Sequence, residues 1–269
     1  MTPLLATIFT LAGLGLVFGA ALGLGSRFFR VRTDPRLDIV NDLLPGANCG
    51  ACGFSGCLAC ARALIDNRIE VGVCPVCSAE NTDRIAQVLG RAPEKKAPKT
   101  ARIFCRGGHD VSLRYQYRGV QNCFAANQFG GGVSACDYGC LRYYSCLDIC
   151  PFQAIYIDSH RNPVIDESKC VACGLCVKVC PRHLIRLVPV AAVVDIRCSS
   201  RNPAREVSRV CLVGCIACGK CVRECPVGAI TIEDNLARID YELCIKCGKC
   251  IEVCPRKIIE HSGKVKRDG

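Results

Sequence analysis

The cysteines of this chain are the residues whose number and spacing indicate chemistry. The sequence has 26 of them among 269 residues, a share that is found in disulfide scaffolds, zinc proteins and iron–sulfur proteins. Three segments have an unbroken spacing of C-x2-C-x2-C-x3-C followed by proline. They comprise Cys170, Cys173, Cys176 and Cys180, then Cys215, Cys218, Cys221 and Cys225, then Cys244, Cys247, Cys250 and Cys254. Tight turns in such a run place three thiolates around one metal centre and direct the fourth elsewhere.

Interlocked use of these runs predicts the ligands of three [4Fe–4S] clusters. Where two clusters share a pair of runs, the first three cysteines of each run bind one cluster and the fourth binds the other. The predicted ligand sets are Cys215, Cys218, Cys221 and Cys254; Cys225, Cys244, Cys247 and Cys250; and Cys150, Cys170, Cys173 and Cys176. Zinc also accepts four thiolates, but the interlocked fourth cysteine argues against it.

An internal duplication explains a fourth run that has lost one cysteine. Segment 136–151 matches segment 211–226 cysteine for cysteine, except that Tyr143 stands where the later copy has Cys218. The first copy therefore lacks one thiolate. We predict that the cysteine one turn upstream completes its set, which is then Cys136, Cys140, Cys146 and Cys180.

Four cysteines have no role in these sets or near the N-terminus, and four is the number that one further cluster requires. They are Cys105, Cys123, Cys198 and Cys211. Their spacing matches no local motif, and they come from both halves of the duplication. A sixth cluster held by them would lie between the two halves and tie them together. The alternative is that they are apolar thiols buried in a core.

A separate site nearer the N-terminus is indicated by the spacing C-x2-C-x4-C-x16-C. Its predicted ligands are Cys49, Cys52, Cys57 and Cys74. Gly50, Gly53 and Gly56 permit the backbone to wrap closely around a metal centre, since glycine has no Cβ to clash. Cys60 and Cys77 are additional, and we interpret them as packed thiols or as alternative ligands. Five [4Fe–4S] clusters are thus expected, and six if the unassigned cysteines bind one.

The first 26 residues contain no charged side chain. As a helix, residues 3–25 would span about 34 Å, which suffices to cross a bilayer. Basic residues are missing before this apolar run and follow it at Arg27, Arg30 and Arg32, which favours a transmembrane anchor over a signal peptide. The positive-inside rule then places the rest of the chain on the cytoplasmic side of the cell membrane. Thiols stay reduced there, so disulfides are disfavoured.

The distribution of cysteines, prolines and polar residues predicts an α+β protein in five parts. They are a transmembrane anchor over residues 1–26, a [4Fe–4S] domain over 27–90, a Pro- and Lys-rich linker over 91–101, and two ferredoxin-like repeats over 102–190 and 191–269. In each repeat a cysteine motif is followed by a hairpin and a second motif. The predicted hairpin strands are AIYI with PVID in the first repeat and AITIE with ARID in the second.

The formal charge of +11 counts every cysteine as neutral. An oxidised [4Fe–4S] cluster with four thiolates carries about −2, so six centres would contribute roughly −12 and bring the chain near neutrality. We therefore interpret the excess of lysine and arginine as compensation for cluster charge, not as a nucleic-acid surface; an ordinary basic surface is the alternative. The sequence has no dinucleotide fingerprint, phosphate loop or nucleophile–base pair, so no catalytic residues and no substrate-converting pocket are expected.

The apolar anchor, the stretch DPRLDIVNDLLPGANCGACGFSGC, the CPVC motif and the repeated ferredoxin runs together resemble the B subunits of Rnf complexes, in the longer form found in anaerobic bacteria. The resemblance implies a membrane complex that oxidises reduced ferredoxin, reduces NAD, and moves sodium ions or protons across the membrane. The chain would be its electron-accepting subunit, with soluble ferredoxin and the other Rnf subunits as partners. By the same resemblance, the cluster near the anchor faces the membrane subunits and a ferredoxin-like end faces the donor. Cys60 and Cys77 stand where this family is expected to have other residues.

Two other functions are compatible with the cysteine pattern. One is a polyferredoxin subunit of another membrane redox complex, such as a hydrogenase or a formate-oxidising assembly. The other is an iron–sulfur sensor that regulates a partner. The anchor and the number of clusters disfavour a sensor, because one labile centre would serve that purpose.

Overall fold

The computed structural model describes residues 2–28, 34–94 and 97–261. A long helix, α1 (Thr2–Phe28), precedes a helical unit made of α2 (Arg36–Leu43), α3 (Cys57–Ile65) and α4 (Ala79–Leu89). The first repeat contains β1 (Lys99–Ile103), a 3-10 turn (Gly108–Asp110), α5 (Cys123–Gln128), α6 (Ser145–Asp148), β2 (Ile155–Ile157), β3 (Pro163–Ile165), α7 (Leu175–Val179) and β4 (Ile185–Pro189). The second contains β5 (Val194–Ile196), α8 (Ala204–Val210), α9 (Lys220–Arg223), β6 (Ile230–Glu233), β7 (Leu236–Ile239), α10 (Lys249–Glu252) and β8 (Ile259–His261).

Helix α1 is apolar along its whole length and has its first charged side chain at Arg27. The segment Thr7–Arg27 is long and apolar enough to cross a membrane, by length and composition. None of its described side chains is buried in the protein; Phe9 is 73% exposed and Leu16 is 75% exposed. A helix that is apolar on every side needs an apolar environment around it, as the predicted anchor would have.

The helical unit packs α2, α3 and α4 around a small core that includes Val40, Leu64, Val71 and Ile85, all 2% exposed or less. Helix α4 begins where the Ser78 hydroxyl accepts a hydrogen bond from the amide of Asn81 at 3.1 Å, and it ends at Gly90 in the left-handed region. These caps satisfy backbone groups that a helix end otherwise leaves unpaired. The core thus fixes the ends of the loops that carry cysteines.

The predicted linker, residues 91–101, is in part built into the units on either side. The Arg91 guanidinium donates to the carbonyls of Leu64 at 2.9 Å and Ile69 at 2.6 Å, so it belongs to the helical unit. At the other end, Lys99 already pairs with Pro189 in β1. The free connection is therefore shorter than its composition predicts.

Each repeat consists of an inner hairpin and an outer pair of strands. The predicted hairpins form as antiparallel pairs, β2 with β3 and β6 with β7, with Ile155 opposite Ile165 and Ile230 opposite Ile239. The outer pairs join the beginning of each repeat to its end, β1 with β4 and β5 with β8. Apolar side chains of these strands pack against the cysteines of the same repeat and form two separate cores.

The repeats contact each other through the segments that precede their first cysteine motifs. In the first repeat this segment, residues 104–135, is long and contains α5. Its residues 110–112 lie against the end of α8, where the amide of Ser112 donates to Val210 at 3.0 Å and that of Leu212 donates to Asp110 at 3.0 Å. The duplicated halves are thus fastened together by backbone hydrogen bonds.

A buried ion pair also crosses between the repeats. Arg102 of β1, 6% exposed, donates to the Asp195 carboxylate of β5, 1% exposed, at 3.0 Å. The Tyr241 hydroxyl donates to the other oxygen of Asp195 at 2.5 Å, and Glu167 accepts from Arg102 at 3.0 Å. Because the charges are removed from water, each depends on its partners to offset the cost of desolvation.

We expect Arg102→Met to lower the free energy of unfolding by about 3–5 kcal/mol, because the buried Asp195 carboxylate then loses its cation. Urea denaturation followed by circular dichroism measures the change. Asp234→Asn is the matched control, since it breaks an exposed pair with Arg201 at 3.8 Å and should change stability by less than about 1 kcal/mol. Equal effects of the two substitutions would contradict the role of the buried pair.

Candidate metal centres

The cysteine loops of the two repeats share one backbone conformation. In the three complete runs the residue before the second cysteine has a positive φ, as do the glycines that follow the second cysteine. The first set is Ala172, Ala217 and Lys246, and the second is Gly174, Gly219 and Gly248. The incomplete run keeps both features at Arg142 (φ 64°) and Tyr144 (φ 51°). Residues other than glycine pay roughly 1–2 kcal/mol for this conformation, so the surrounding structure maintains the loop even where the cysteine is lost.

Backbone amides donate to several of the thiols. The amide of Ala154 lies 3.4 Å from Cys150 Sγ, and that of Ala229 lies 3.3 Å from Cys225 Sγ. The two contacts occupy equivalent positions of the duplication. Ala101 of β1 donates in the same way to Cys170 Sγ at 3.5 Å. Such hydrogen bonds favour the thiolate form and adjust the potential of a cluster that the thiolate binds.

Two of the predicted ligand sets line cavities of their own. One cavity, of about 380 Å³ with its opening, is lined by Cys215, Cys218, Cys221 and Cys254. Another, of about 340 Å³, is lined by Cys150, Cys170, Cys173 and Cys176. In both, three cysteines come from one run and the fourth from the partner run, as the interlocked pattern predicts.

The cavity of the incomplete run differs from the prediction. It measures about 400 Å³ and is lined by Cys123, Cys140, Cys146 and Cys180. The structure places Cys136 elsewhere and brings Cys123 to the position that the prediction assigned to Cys136.

The physical reason for this exchange is the docking of α5 on α6. The amide of Cys123, the first residue of α5, donates to the Ser145 hydroxyl at 2.9 Å, next to Cys146. Tyr143 packs instead edge-on against Tyr117, with ring centroids 5.7 Å apart. Local spacing contains no signal for Cys123, because the inserted segment brings it to the site from a distance along the chain.

A fourth cavity, of about 340 Å³, lies at the junction of the repeats. The cysteines that line it are Cys105, Cys136, Cys198 and Cys211. Cys123 was expected in this group from the sequence, so Cys123 and Cys136 exchange places relative to the prediction. The other three members are brought together as predicted.

The remaining ferredoxin-type set, Cys225, Cys244, Cys247 and Cys250, belongs to the second repeat. Burial, together with the nearby Cys244 thiol, raises the pKa of Cys250 to about 11, and Cys247 also contributes. Cys225 packs in the same core as Cys250. All four predicted members therefore lie in one region, and Cys247 is exposed there.

In the helical unit, a cysteine outside the predicted ligand set lies among the predicted ligands. Cys60 is 1% exposed, and burial raises its pKa to about 12, with further contributions from Cys52, Cys74 and Cys57. Cys60 thus lies among three of the predicted ligands. The fourth, Cys49, is near the first repeat: burial raises the pKa of Cys173, a backbone hydrogen bond from Leu175 opposes the rise, and the Cys49 thiol adds to it. Gly56 is required by a close approach, because a Cβ there would lie 2.8 Å from the Asn48 side-chain oxygen that accepts from the amide of Cys57.

Without a cationic occupant, burial holds the thiol groups in their neutral form. Burial and then Cys123 and Cys180 raise the pKa of Cys146 to about 12; burial and then Cys170 and Cys173 do the same for Cys176. Four thiols in such surroundings cannot all ionise near neutral pH unless a cationic centre lies among them. Within residues 2–28, 34–94 and 97–261, no three His, Cys, Asp or Glu side chains converge closely enough for a single ion. The thiols line cavities of about 340–400 Å³, openings included, which leave room for a cluster of iron and sulfide.

Three family models match the chain. One, described as a putative Fe–S cluster, covers residues 44–76; a 4Fe–4S binding domain covers 163–186; and a 4Fe–4S dicluster domain covers 214–258. These matches confirm the fold class of an iron–sulfur domain followed by ferredoxin-like units. None of the three ranges includes the cysteines of the junction cavity, nor Cys123.

Relatives match over nearly the whole chain. The B subunit of the sodium-translocating ferredoxin:NAD oxidoreductase complex of Acetobacterium woodii is 38% identical over 90% of this chain and 73% of its own length. That of the ion-translocating oxidoreductase complex of Methanosarcina acetivorans is 38% identical over 89% of this chain and 91% of its own length. That of the proton-translocating ferredoxin:NAD oxidoreductase complex of Clostridium ljungdahlii is 34% identical over 90% and 86%. The chain belongs to the family of B subunits of these ion-translocating oxidoreductases, the Rnf complexes.

Proposed function

We propose that this chain accepts electrons from reduced ferredoxin and passes them to the other subunits of an Rnf complex, which reduces NAD and translocates sodium ions or protons. The observation that carries the proposal is the grouping of cysteines from separate segments around cavities of similar size. Membership of the Rnf B-subunit family favours this complex over a hydrogenase or a formate-oxidising assembly.

The residues fit [4Fe–4S] clusters, and five ligand sets follow. Four of the sets comprise Cys150, Cys170, Cys173 and Cys176; Cys215, Cys218, Cys221 and Cys254; Cys225, Cys244, Cys247 and Cys250; and Cys123, Cys140, Cys146 and Cys180. The fifth set is Cys49, Cys52, Cys57 and Cys74, within the matched range 44–76; Cys60, which lies among the last three, is the alternative to Cys49. A bound cluster supplies one-electron oxidation and reduction without breaking a covalent bond of the protein. The chain holds it with thiolates, excludes water with apolar side chains and adjusts its potential with amide donors.

The set with Cys123 has a direct test in the iron content of the anaerobically purified chain. We expect Cys123→Ala/Cys146→Ala to lose about four irons, as much as the control pair Cys140→Ala/Cys146→Ala, because each pair damages one cluster. Cys136→Ala/Cys146→Ala should damage two clusters and lose about twice as much. If the first pair lost about eight irons and the last only about four, Cys136 and not Cys123 would be the ligand.

We propose that ferredoxin docks on the second repeat, where two of the cysteines are exposed. All described cysteines are at least partly covered except Cys218 and Cys247, which are exposed. Exposed lysines at Lys220, Lys246 and Lys249 lie within two residues of these thiols. A positive rim around exposed ligands suits an acidic electron donor, since complementary charge accelerates encounter.

We expect Lys246→Glu/Lys249→Glu to slow reduction of the chain by ferredoxin by at least about tenfold at low ionic strength, because electrostatic steering is lost. Stopped-flow absorbance measures the rate, and added salt should reduce the difference. Lys99→Glu is the control, as Lys99 is exposed on the first repeat. A rate that is independent of salt and of these charges would place the donor elsewhere.

The apolar helix and the family together indicate membrane association. We propose that the cluster-bearing part lies on the cytoplasmic side, because Arg27 follows the apolar run. Protease added to inside-out vesicles should then cleave the chain, whereas sealed right-side-out vesicles should protect it. The opposite pattern of cleavage would reverse the orientation.

A further inference from the structure

We infer that Cys105, Cys136, Cys198 and Cys211 hold one further [4Fe–4S] cluster at the junction of the two repeats. The inference deepens the proposed function, on which it rests for the kind of centre that is bound. The four thiols line one cavity, and each is only 7–8% exposed. They come from four separate segments, two in each repeat, so no local spacing motif identifies them as one set.

The backbone around the cavity is arranged to bring these segments together. Segment 110–112 lies between two of them and pairs with both: Ala135 donates to the Ser112 carbonyl at 2.8 Å, and Val111 forms an antiparallel bridge with Cys211. The amide of Cys215 donates to Cys198 Sγ at 3.4 Å. Three of the four cysteines are therefore positioned by backbone contacts, as are the ligands of the other sites.

Two glycines allow close packing beside the thiols. A Cβ at Gly107 would lie 2.3 Å from Val111 Cγ2 and 3.6 Å from Cys105 Sγ. A Cβ at Gly214 would lie 2.4 Å from Val207 Cγ1 and 3.4 Å from Cys211 Sγ. Neither glycine has a positive φ, so backbone conformation does not require glycine there. The reason for glycine is steric. Without a Cβ at these two positions, the residues that line the cavity can pack closely around the sulfur atoms.

The charges around the cavity match those of a cluster with four thiolates, which carries about −2 when oxidised. Arg106 and Arg197 line the cavity, and the Arg256 guanidinium donates to the Cys211 carbonyl at 2.7 Å. Glu260 pairs with Arg106 at 3.4 Å and with Arg197 at 2.7 Å, so the three arginines and this carboxylate leave a net positive charge beside the thiols.

The junction site stands between two of the other sites. On one side, Ile258 lines both this cavity and that of Cys215, whose amide contacts Cys198. On the other side, Gly139 lines the junction cavity and is followed directly by Cys140 of the neighbouring set. The junction cysteines are thus placed to connect the metal sites of the first repeat with those of the second.

Paired substitutions test which cysteines share this site. In anaerobically purified full-length chain we expect about 24 irons, from six clusters of four. Cys136→Ala/Cys198→Ala and Cys105→Ala/Cys198→Ala should each lose about four irons, and spin quantification of the reduced chain should show one centre fewer. Cys123→Ala/Cys198→Ala should lose about eight irons, since these two cysteines lie in different cavities. Ser199→Ala, which alters the same cavity without removing a thiol, should lose none.

A wild-type count near about 20 irons, or a Cys136→Ala/Cys198→Ala variant that keeps all its iron, would overturn the inference. The signals of the other clusters report whether each variant is folded, and Cys136→Ser/Cys198→Ser gives a variant closer in size to the native pair. The outcome is separate from that for the proposed function. About 20 irons with rapid reduction by ferredoxin would remove only the junction cluster, whereas about 24 irons without that reduction would remove only the donor assignment.

Discussion

The convergence of thiols from separate segments on shared cavities is the constraint on which this structure depends. Regular secondary structure around these thiols is limited. Every sheet in the described ranges has two strands, of three to five residues each, and two-stranded sheets are marginally stable by themselves. Cysteine side chains take part in all four hydrophobic cores. Metal coordination can supply the folding free energy that cores of this size lack. The residues that carry electrons in the proposed function therefore also hold the fold together.

The duplication shows how one site can change its ligand without losing its loop. Arg142 and Tyr144 keep the left-handed conformation that Ala217 and Gly219 have in the second repeat, although Tyr143 has replaced a cysteine. The replacement thiol that we propose is Cys123, at the start of the inserted α5, which lines the same cavity as Cys146. In the second repeat the equivalent cysteine, Cys218, is exposed. The two exposed cysteines, Cys218 and Cys247, thus both belong to the second repeat.

The repeats are joined by contacts of two physical kinds. The Arg102–Asp195 pair is buried, and removal of either charge takes from the other its ionic partner across the junction, so the pair favours one relative arrangement of the repeats. The junction cysteines add a second connection, which we assign to a cluster. Rigid placement matters for a chain of electron carriers, because separation between centres controls transfer between them. A junction that is both ionic and metal-bound would maintain that separation.

The periodic spacing of cysteines was sufficient to predict the iron–sulfur class and the two cavities lined by complete interlocked runs, and residue patterns predicted the apolar helix and both hairpins. Ligands within one tight loop depend only on residues a few positions apart, so the sequence by itself determined them. Tertiary structure alone decided that Cys123 lies with Cys146 and that Cys136 lies with Cys198. It also placed Cys60 among the thiols of the helical unit. These groupings depend on how separate segments pack against one another, through α5 on α6 and segment 110–112 against α8, and packing of that kind leaves no trace in local spacing.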